Sequence, residues 1–220
     1  METPNPAEIR QAYANHALEA AALAPDPIEQ FGRWFADAVA AGLPEPNAMV
    51  LATASAAATP SARTVLLKGY GHDGFRFFTN HTSRKGRELR ENPRACLVFP
   101  WHALRRQIVV TGTVSRLPAA ETAEYFRSRP RGSQLGAWTS HQSSVVTSRA
   151  ELDERYAALA ARWPAPTEVP VPDFWGGYLV RHETVEFWQG RANRLHDRLR
   201  YVRAPGGPDG TEWTLERLSP

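Results

Sequence analysis

The sequence predicts a mainly β fold with peripheral helices (α+β), an antiparallel meander curled into a barrel. Three observations predict it. Short β-branched or aromatic runs fill the chain from residue 49 onward, Gly, Pro, Asp and Asn separate them, and helical periodicity interrupts them at only a few places. With 220 residues, 42% hydrophobic and 22% charged, one sizeable core is affordable in length, so a single domain is expected over residues 1–220. Within it, residues 1–45 form an N-terminal helical segment, partly mobile, and residues 46–220 the barrel.

Residues 6–23 are alanine-rich and helix-prone. In PIEQFGRWFADAVAAG (27–42), Ile28, Phe31, Phe35 and Val39 recur at spacings of three and four, one face of an amphipathic helix, with Asp26 as its cap and Pro27 following. After Pro46 the period changes. MVLATA (49–54), RTVLLKGY (63–70), FRFFTN (75–80), ACLVFPW (95–101) and RQIVVTGTVSRL (106–117) read as strands. SRKGRELREN (83–92), AAETAEYFRSR (119–129) and SRAELDERYAALAARW (148–163) read as helices, and PAPTEVPVP (164–172) as a short proline-rich connector. Strands return in FWGGYLVRHETVEFWQG (174–190), then in RLRYVRA and TEWTLERL around the turn PGGPDG.

Several function classes lose their support. No apolar run approaches bilayer length, and METPNPAEIR has neither the basic start nor the apolar stretch of a signal peptide, so no membrane association and a cytoplasmic location are expected. The single cysteine, Cys96, sits in an apolar run and is expected to be a small core residue. The seven histidines lack ligand spacing, so no metal is expected. There is no GxGxxG, GxxxxGK[ST], HExxH or GxSxG. A net charge of +3 is too weak to announce nucleic acid, although SRKGRELR (83–90) and YFRSRPRGS (125–133) hold much of the excess. What remains is a vocabulary of cations, hydroxyls and rings suited to phosphates and flat ligands.

In RTVLLK, Arg63 and Lys68 have opposite strand parity, which a bulge, a strand end or two neighbouring ligands would reconcile. TSRKGREL offers Thr82 or Ser83 as a helix cap with Arg84 and Lys85 in the first turn. Cations there oppose the helix dipole unless an anion is bound. Tyr125 and Arg129 lie four residues apart with Pro130 ending their helix, and Ser133 follows in a glycine-containing loop, a set able to surround a phosphate monoester. Gln107 is a half-buried amide in an apolar strand, where the edge of a heterocycle or a backbone group would satisfy it. Gln142 and Ser143 add polar groups. In RLHDR, Arg194 and His196 share parity in an extended segment and Asp197 points the other way, placed to hold an arginine.

RTVLLK, FFTNHTSRKGREL, FPWHALRRQI, YFRSRPRGSQLGAW, SHQSS, FWGGYLV and EFWQGRANRLHDR, in this order, resemble the pyridoxamine 5'-phosphate oxidase family, from about Asn47 to Pro220. The resemblance implies an FMN-binding split β-barrel homodimer with a C-terminal dimerisation region and two FMN sites at the subunit interface. It implies oxidation of pyridoxamine 5'-phosphate or pyridoxine 5'-phosphate to pyridoxal 5'-phosphate, a step of vitamin B6 metabolism, by hydride transfer to flavin N5 with O2 reoxidising the flavin to H2O2. By motif, Arg63, Thr64, Val65, Leu66, Leu67, Lys68, Phe78, Thr79, Arg84, Lys85, Gln107, Gln142, Ser143, Trp188 and Arg198 would contact the flavin. Lys68, Tyr125, Arg129, Ser133, Arg194 and His196 would contact the substrate, the last two as catalytic residues, and Arg10 and Tyr13 match a pair that closes over it. The N-terminal NHALEAAALAPDP departs from the family pattern. The alternatives are a non-catalytic flavin or pyridoxal phosphate-binding protein and a split-barrel flavin oxidase acting on another ring, such as the phenazine-forming oxidases.

Overall fold

The computed structural model describes residues 17–204 and 212–220. Arg10, Tyr13 and most of the alanine-rich stretch 6–23 lie outside the described residues, of which only Ala20–Ala22 form a 3-10 turn in that stretch. The architecture is the mainly β, antiparallel one that the sequence predicts. Among the described residues there are strands β1 (Ala48–Ala54), β2 (Pro60–Leu66), β3 (Gly69–Gly71), β4 (Gly74–Asn80), β5 (Arg94–Trp101), β6 (Arg106–Arg116), β7 (Trp175–Gln189), β8 (Asp197–Arg203) and β9 (Trp213–Arg217). The helices are α1 (Pro27–Ala40), α2 (Arg84–Glu91), α3 (Ala119–Ser128), α4 (Arg131–Thr139) and α5 (Arg149–Arg162). In hydrogen-bonded order the strands run β2-β1-β5-β6-β7-β4-β3, with β8 on β7 and β9 on β8. The registered pairs β1–β2, β3–β4, β4–β7, β7–β8 and β8–β9 are all antiparallel. Among the described residues no helix is long and apolar enough to cross a membrane.

The described residues cluster into two compact units. One takes in the stretches up to Pro46, Val98–Val110 and from Thr184 onward. Its α1 begins where Asp26 Oδ1 accepts from the N–H groups of Ile28 and Glu29, at 2.7 and 3.2 Å, with Pro27 at a position that needs no donor. The buried face is Ile28, Phe31, Trp34 and Ala38, whereas Val39 is exposed. Trp34 takes the place the spacing predicted for Val39, because the larger ring removes more apolar area from water and meets Phe187 edge-on at 5.1 Å. Phe31 meets Phe99 in the same way at 5.0 Å.

The other unit comprises Asn47–Leu97 and Thr111–Glu183. In β4 and the start of β7, Phe77 pairs with Tyr178 in register and stacks on it at 5.3 Å, over a core that includes Phe75 and Val180. In β5, Ala95 and Leu97 are buried while Cys96 points the other way and is only half-buried, a correction to its reading as a core residue. Burial still pushes its thiol pKa up. The predicted strand 63–70 is broken: β2 stops at Leu66 and β3 begins at Gly69. Lys68 therefore occupies a strand end, its N–H donating to Arg76 O at 2.8 Å, and the parity conflict with Arg63 disappears.

Candidate functional site

A cavity of about 420 Å³ opens in this second unit. Three local structures build it. The first is the end of β2, which contributes Thr64, Val65 and Leu66, with Lys68 in the break beyond. The second is the passage from β4 into α2, which contributes Phe78, Thr79 and Lys85. There Ser83 is the cap: its Oγ accepts from Gly86 N at 3.3 Å and donates to Asn80 O at 2.7 Å. Thr82, the other candidate, instead gives its N–H and hydroxyl to Asn80 Oδ1, both at 2.7 Å. The helix is packed hard onto this turn, since a Cβ on Gly86 would lie 2.2 Å from the carbonyl oxygen of His81.

The third is the junction of α3 and α4, which contributes Tyr125, Arg129, Pro130 and Ser133, with Trp175 at the start of β7 beside it. Arg129 leaves α3 in an extended conformation, and Pro130 starts α4 rather than a loop. Ser133 is thus on a helix, because proline at its start and a following helix-compatible run outweigh the two glycines that suggested a loop. Tyr125, Phe78 and Trp175 stack nearly parallel: Phe78 lies 4.0 Å from Tyr125 and 5.6 Å from Trp175 between ring centroids. The Arg129 guanidinium lies 4.6 Å over the Trp175 ring, and its buried Nη1 has no hydrogen-bond partner among the described residues. Burial lowers its pKa, although a guanidinium stays charged.

Lys85 is buried, and its Nζ donates to Gln142 Oε1 at 2.7 Å and to Thr79 Oγ1 at 3.4 Å. Burial, then the positive charge of Arg63, brings its pKa down to about 8 against an opposing pull from Glu88. Thr79 also donates to Gln142 Oε1 at 3.1 Å. Ser143, at φ 72°, accepts from the Arg84 N–H at 3.1 Å.

The expected site residues thus divide. Thr64, Val65, Leu66, Lys68, Phe78, Thr79, Lys85, Tyr125, Arg129, Ser133 and Gln142 share the cavity. Arg63, Arg84 and Ser143 are in the same unit without lining it, and Leu67 is buried. Gln107, Trp188, Arg194, His196 and Arg198 belong to the first unit. There Trp188 packs against His196 at 4.7 Å, His196 Nδ1 accepts from the Arg191 N–H at 3.0 Å, and Arg198 forms a two-pronged ion pair with Glu186 at 2.7 and 3.0 Å. RLHDR is not extended throughout. Asn193 and Arg194 adopt left-handed conformations, φ 55° and 62°, before β8 begins at Asp197, so shared parity does not orient Arg194 and His196. Asp197 is buried and holds two arginines, Arg191 at 3.2 Å and Arg217 at 2.6 Å. Sequence reasoning missed Trp175, whose only signal is an aromatic residue before a Gly-Gly pair, and Glu88, four residues beyond Arg84.

A buried guanidinium nitrogen without a partner, a buried ammonium and a run of parallel rings fit an anionic, flat ligand. Comparison with known proteins identifies the family. Residues 35–162 match the family model described as pyridoxamine 5'-phosphate oxidase, and residues 175–220 match that of the pyridoxine 5'-phosphate oxidase C-terminal dimerisation region. A protein of Frankia alni named pyridoxine/pyridoxamine 5'-phosphate oxidase is 60% identical, covering 99% of this chain and 90% of its own length. One of the same name from Thermobifida fusca is 54% identical over the whole of both chains. Among solved structures, PhzG from Burkholderia lata, in complex with tetrahydrophenazine-1-carboxylic acid, superposes with a TM-score of 0.84 at 31% identity, covering 93% of this chain and 98% of that one. The split-barrel expectation is met in that likeness.

Proposed function

Because this chain belongs to the pyridoxamine 5'-phosphate oxidase family, we propose that it oxidises pyridoxamine 5'-phosphate and pyridoxine 5'-phosphate to pyridoxal 5'-phosphate with FMN as cofactor, in the cytoplasm and in vitamin B6 metabolism. The observation that carries the reading is the partnerless, buried Nη1 of Arg129 in a cavity that also presents Tyr125, Ser133 and Lys68. A buried donor left unmade is costly, and a substrate phosphate oxygen satisfies it with a charge-assisted bond.

The chain has groups suited to the flavin as well. The Arg84 and Lys85 side chains at the start of α2 suit its phosphate, where an anion would also meet the positive end of the helix dipole. Arg63 through Lys68, Phe78, Thr79, Gln142 and Ser143 are proposed to complete its seat, and Gln107, Trp188 and Arg198 to contact it in a homodimer with two FMN sites at the subunit interface. When bound, FMN supplies a hydride acceptor at N5 and a two-electron route to O2, which leaves as H2O2. The side chains bind and orient. Arg194 and His196 are proposed to contact the substrate ring, Arg129, Tyr125 and Ser133 to hold its phosphate, and Lys68 to serve both ligands. Orientation of this kind is worth several kcal/mol of barrier. Arg10 and Tyr13, outside the described residues, are proposed as further substrate contacts.

The likeness to PhzG favours a second reading, an oxidase of another ring system, since the ligand named in that structure is a carboxylic acid without a phosphate. Aerobic turnover by FMN-reconstituted protein separates the two. Equal amounts of pyridoxal 5'-phosphate and H2O2 from the amine or the alcohol are expected. Bound flavin with neither product from either substrate would contradict the reading and leave the altered-ring or carrier function.

A further inference from the structure

Glu88 lies on the inner side of α2, one turn after Arg84, with its side chain only 7% exposed. Its two oxygens serve different arginines. Oε1 accepts from Arg84 Nε at 2.9 Å, while Oε2 accepts from Thr53 Oγ1 at 2.5 Å, Ser61 Oγ at 2.6 Å and Arg63 Nη2 at 3.3 Å. Arg63 is held at its two terminal nitrogens: Nη1 donates to Leu51 O at 3.1 Å and to Thr53 Oγ1 at 2.6 Å, and Nη2 also reaches Ser61 Oγ. Burying a carboxylate costs several kcal/mol unless it is paired and its lone pairs are filled. Here both conditions are met. Burial alone would raise the Glu88 pKa, yet the Ser61, Thr53 and Arg84 hydrogen bonds and the charge of Arg63 bring it down to about 2.

One arginine would suffice to neutralise Glu88. Two are gathered, together with Lys85, whose pKa is lowered by burial and then by the charge of Arg63 and supported by that of Glu88. Cations collected in advance for an anion repel one another until it arrives. We propose that Glu88 is a positioning residue that holds Arg63 and Arg84 ready for the flavin phosphate and offsets their mutual repulsion before the phosphate binds. The proposal rests on the FMN reading above. Its physical basis is preorganisation: an arginine side chain has many rotamers, and a fixed partner removes that freedom before binding rather than during it.

The test compares FMN with riboflavin, which has the same ring and ribityl chain and no phosphate. Dissociation constants are measured by quenching of flavin fluorescence on the flavin-free full chain, for the wild type, for Glu88→Gln and for Ser61→Ala. Glu88→Gln keeps size and acceptor capacity while removing the charge. It should weaken FMN by roughly tenfold or more and riboflavin by less than about twofold. Ser61→Ala, the milder change, should show a smaller loss that is again confined to FMN. Equal weakening of both flavins would mark Glu88 as packing support and overturn the proposal. Tighter FMN binding by Glu88→Gln would overturn it too, since the carboxylate would then be withholding the arginines. A wild type that does not distinguish FMN from riboflavin would sink the FMN reading itself, and the positioning role with it.

Discussion

Lys85 and Gln142, 57 residues apart in the chain, meet in a 2.7 Å hydrogen bond between Nζ and Oε1. The contact ties the first turn of α2 to the loop after α4 and holds an ammonium away from water. Burial brings its pKa from 10.5 down to about 8. A lysine whose folded pKa lies below its unfolded one loses its proton first in the folded state, so the flavin-free protein should gain stability as pH rises from about 8 to 10.5. Anion binding should move the opposite way. FMN affinity is expected to be flat below pH 8 and to fall above it as Lys85 loses its charge. Fluorescence titrations across pH 7 to 9.5 check this, and Lys85→Met should bind FMN weakly with no fall above pH 8.

Tyr125 stacks on Phe78 at 4.0 Å and lines the cavity. Tyr125→Phe should keep the stack and lose only the donor. A KM for pyridoxamine 5'-phosphate raised by about 1.5–3 kcal/mol, with kcat and melting temperature little changed, is expected from steady-state kinetics and calorimetry. Tyr125→Ala should lower the melting temperature as well, because the ring leaves the Phe78 and Trp175 stack.

The fold and the site were legible to different depths. Alternating runs located the strands and Asp26-Pro27 located the start of α1 because both signals are local. Gly132 and Gly136 suggest a loop around Ser133 because glycine lowers helix propensity, a weak preference that the α4 environment overrides. The cations at the start of α2 violate the dipole rule, and that violation pointed to the site. Glu88 and Trp175 stayed hidden, as their partners Thr53, Ser61, Arg129 and Phe78 are distant in the chain and no spacing announces them. RLHDR departs from the extended shape its sequence suggests: two left-handed residues in succession are unusual away from glycine, and parity arguments hold only in extended chain.

Gly86 is required by close approach. A Cβ there would sit 2.2 Å from a backbone oxygen of His81 and 2.5 Å from its carbonyl carbon, and neither atom can turn aside. Gly86→Ala should therefore destabilise the fold by roughly 1–3 kcal/mol, or about 2–10 °C in melting temperature, and shift α2 enough to weaken FMN. Differential scanning calorimetry with a flavin titration reads both.

Arg194 is exposed and left-handed, a strained conformation of the sort found at functional sites. Arg194→Ala should lower kcat/KM by an amount on the order of 2–4 kcal/mol, comparable to losing a positioned charged donor. Arg194→Gly should lose as much activity while raising stability by up to about 1 kcal/mol, since glycine relieves the backbone. Opposite signs for activity and stability would separate a functional role from a folding one, and full activity in either variant would refute that role.

The central claim is that Arg129, half-buried over Trp175 with its buried Nη1 unsatisfied, is the anchor for the substrate phosphate. Its most direct measurement is the ratio of kcat/KM for pyridoxamine 5'-phosphate to that for pyridoxamine, in the wild type and in Arg129→Ala reconstituted with FMN. The wild type should favour the phosphorylated substrate strongly, and Arg129→Ala should lose roughly 2 kcal/mol or more of that preference while turning over pyridoxamine almost unchanged. A preference that survives intact in Arg129→Ala would contradict the account and move the phosphate elsewhere.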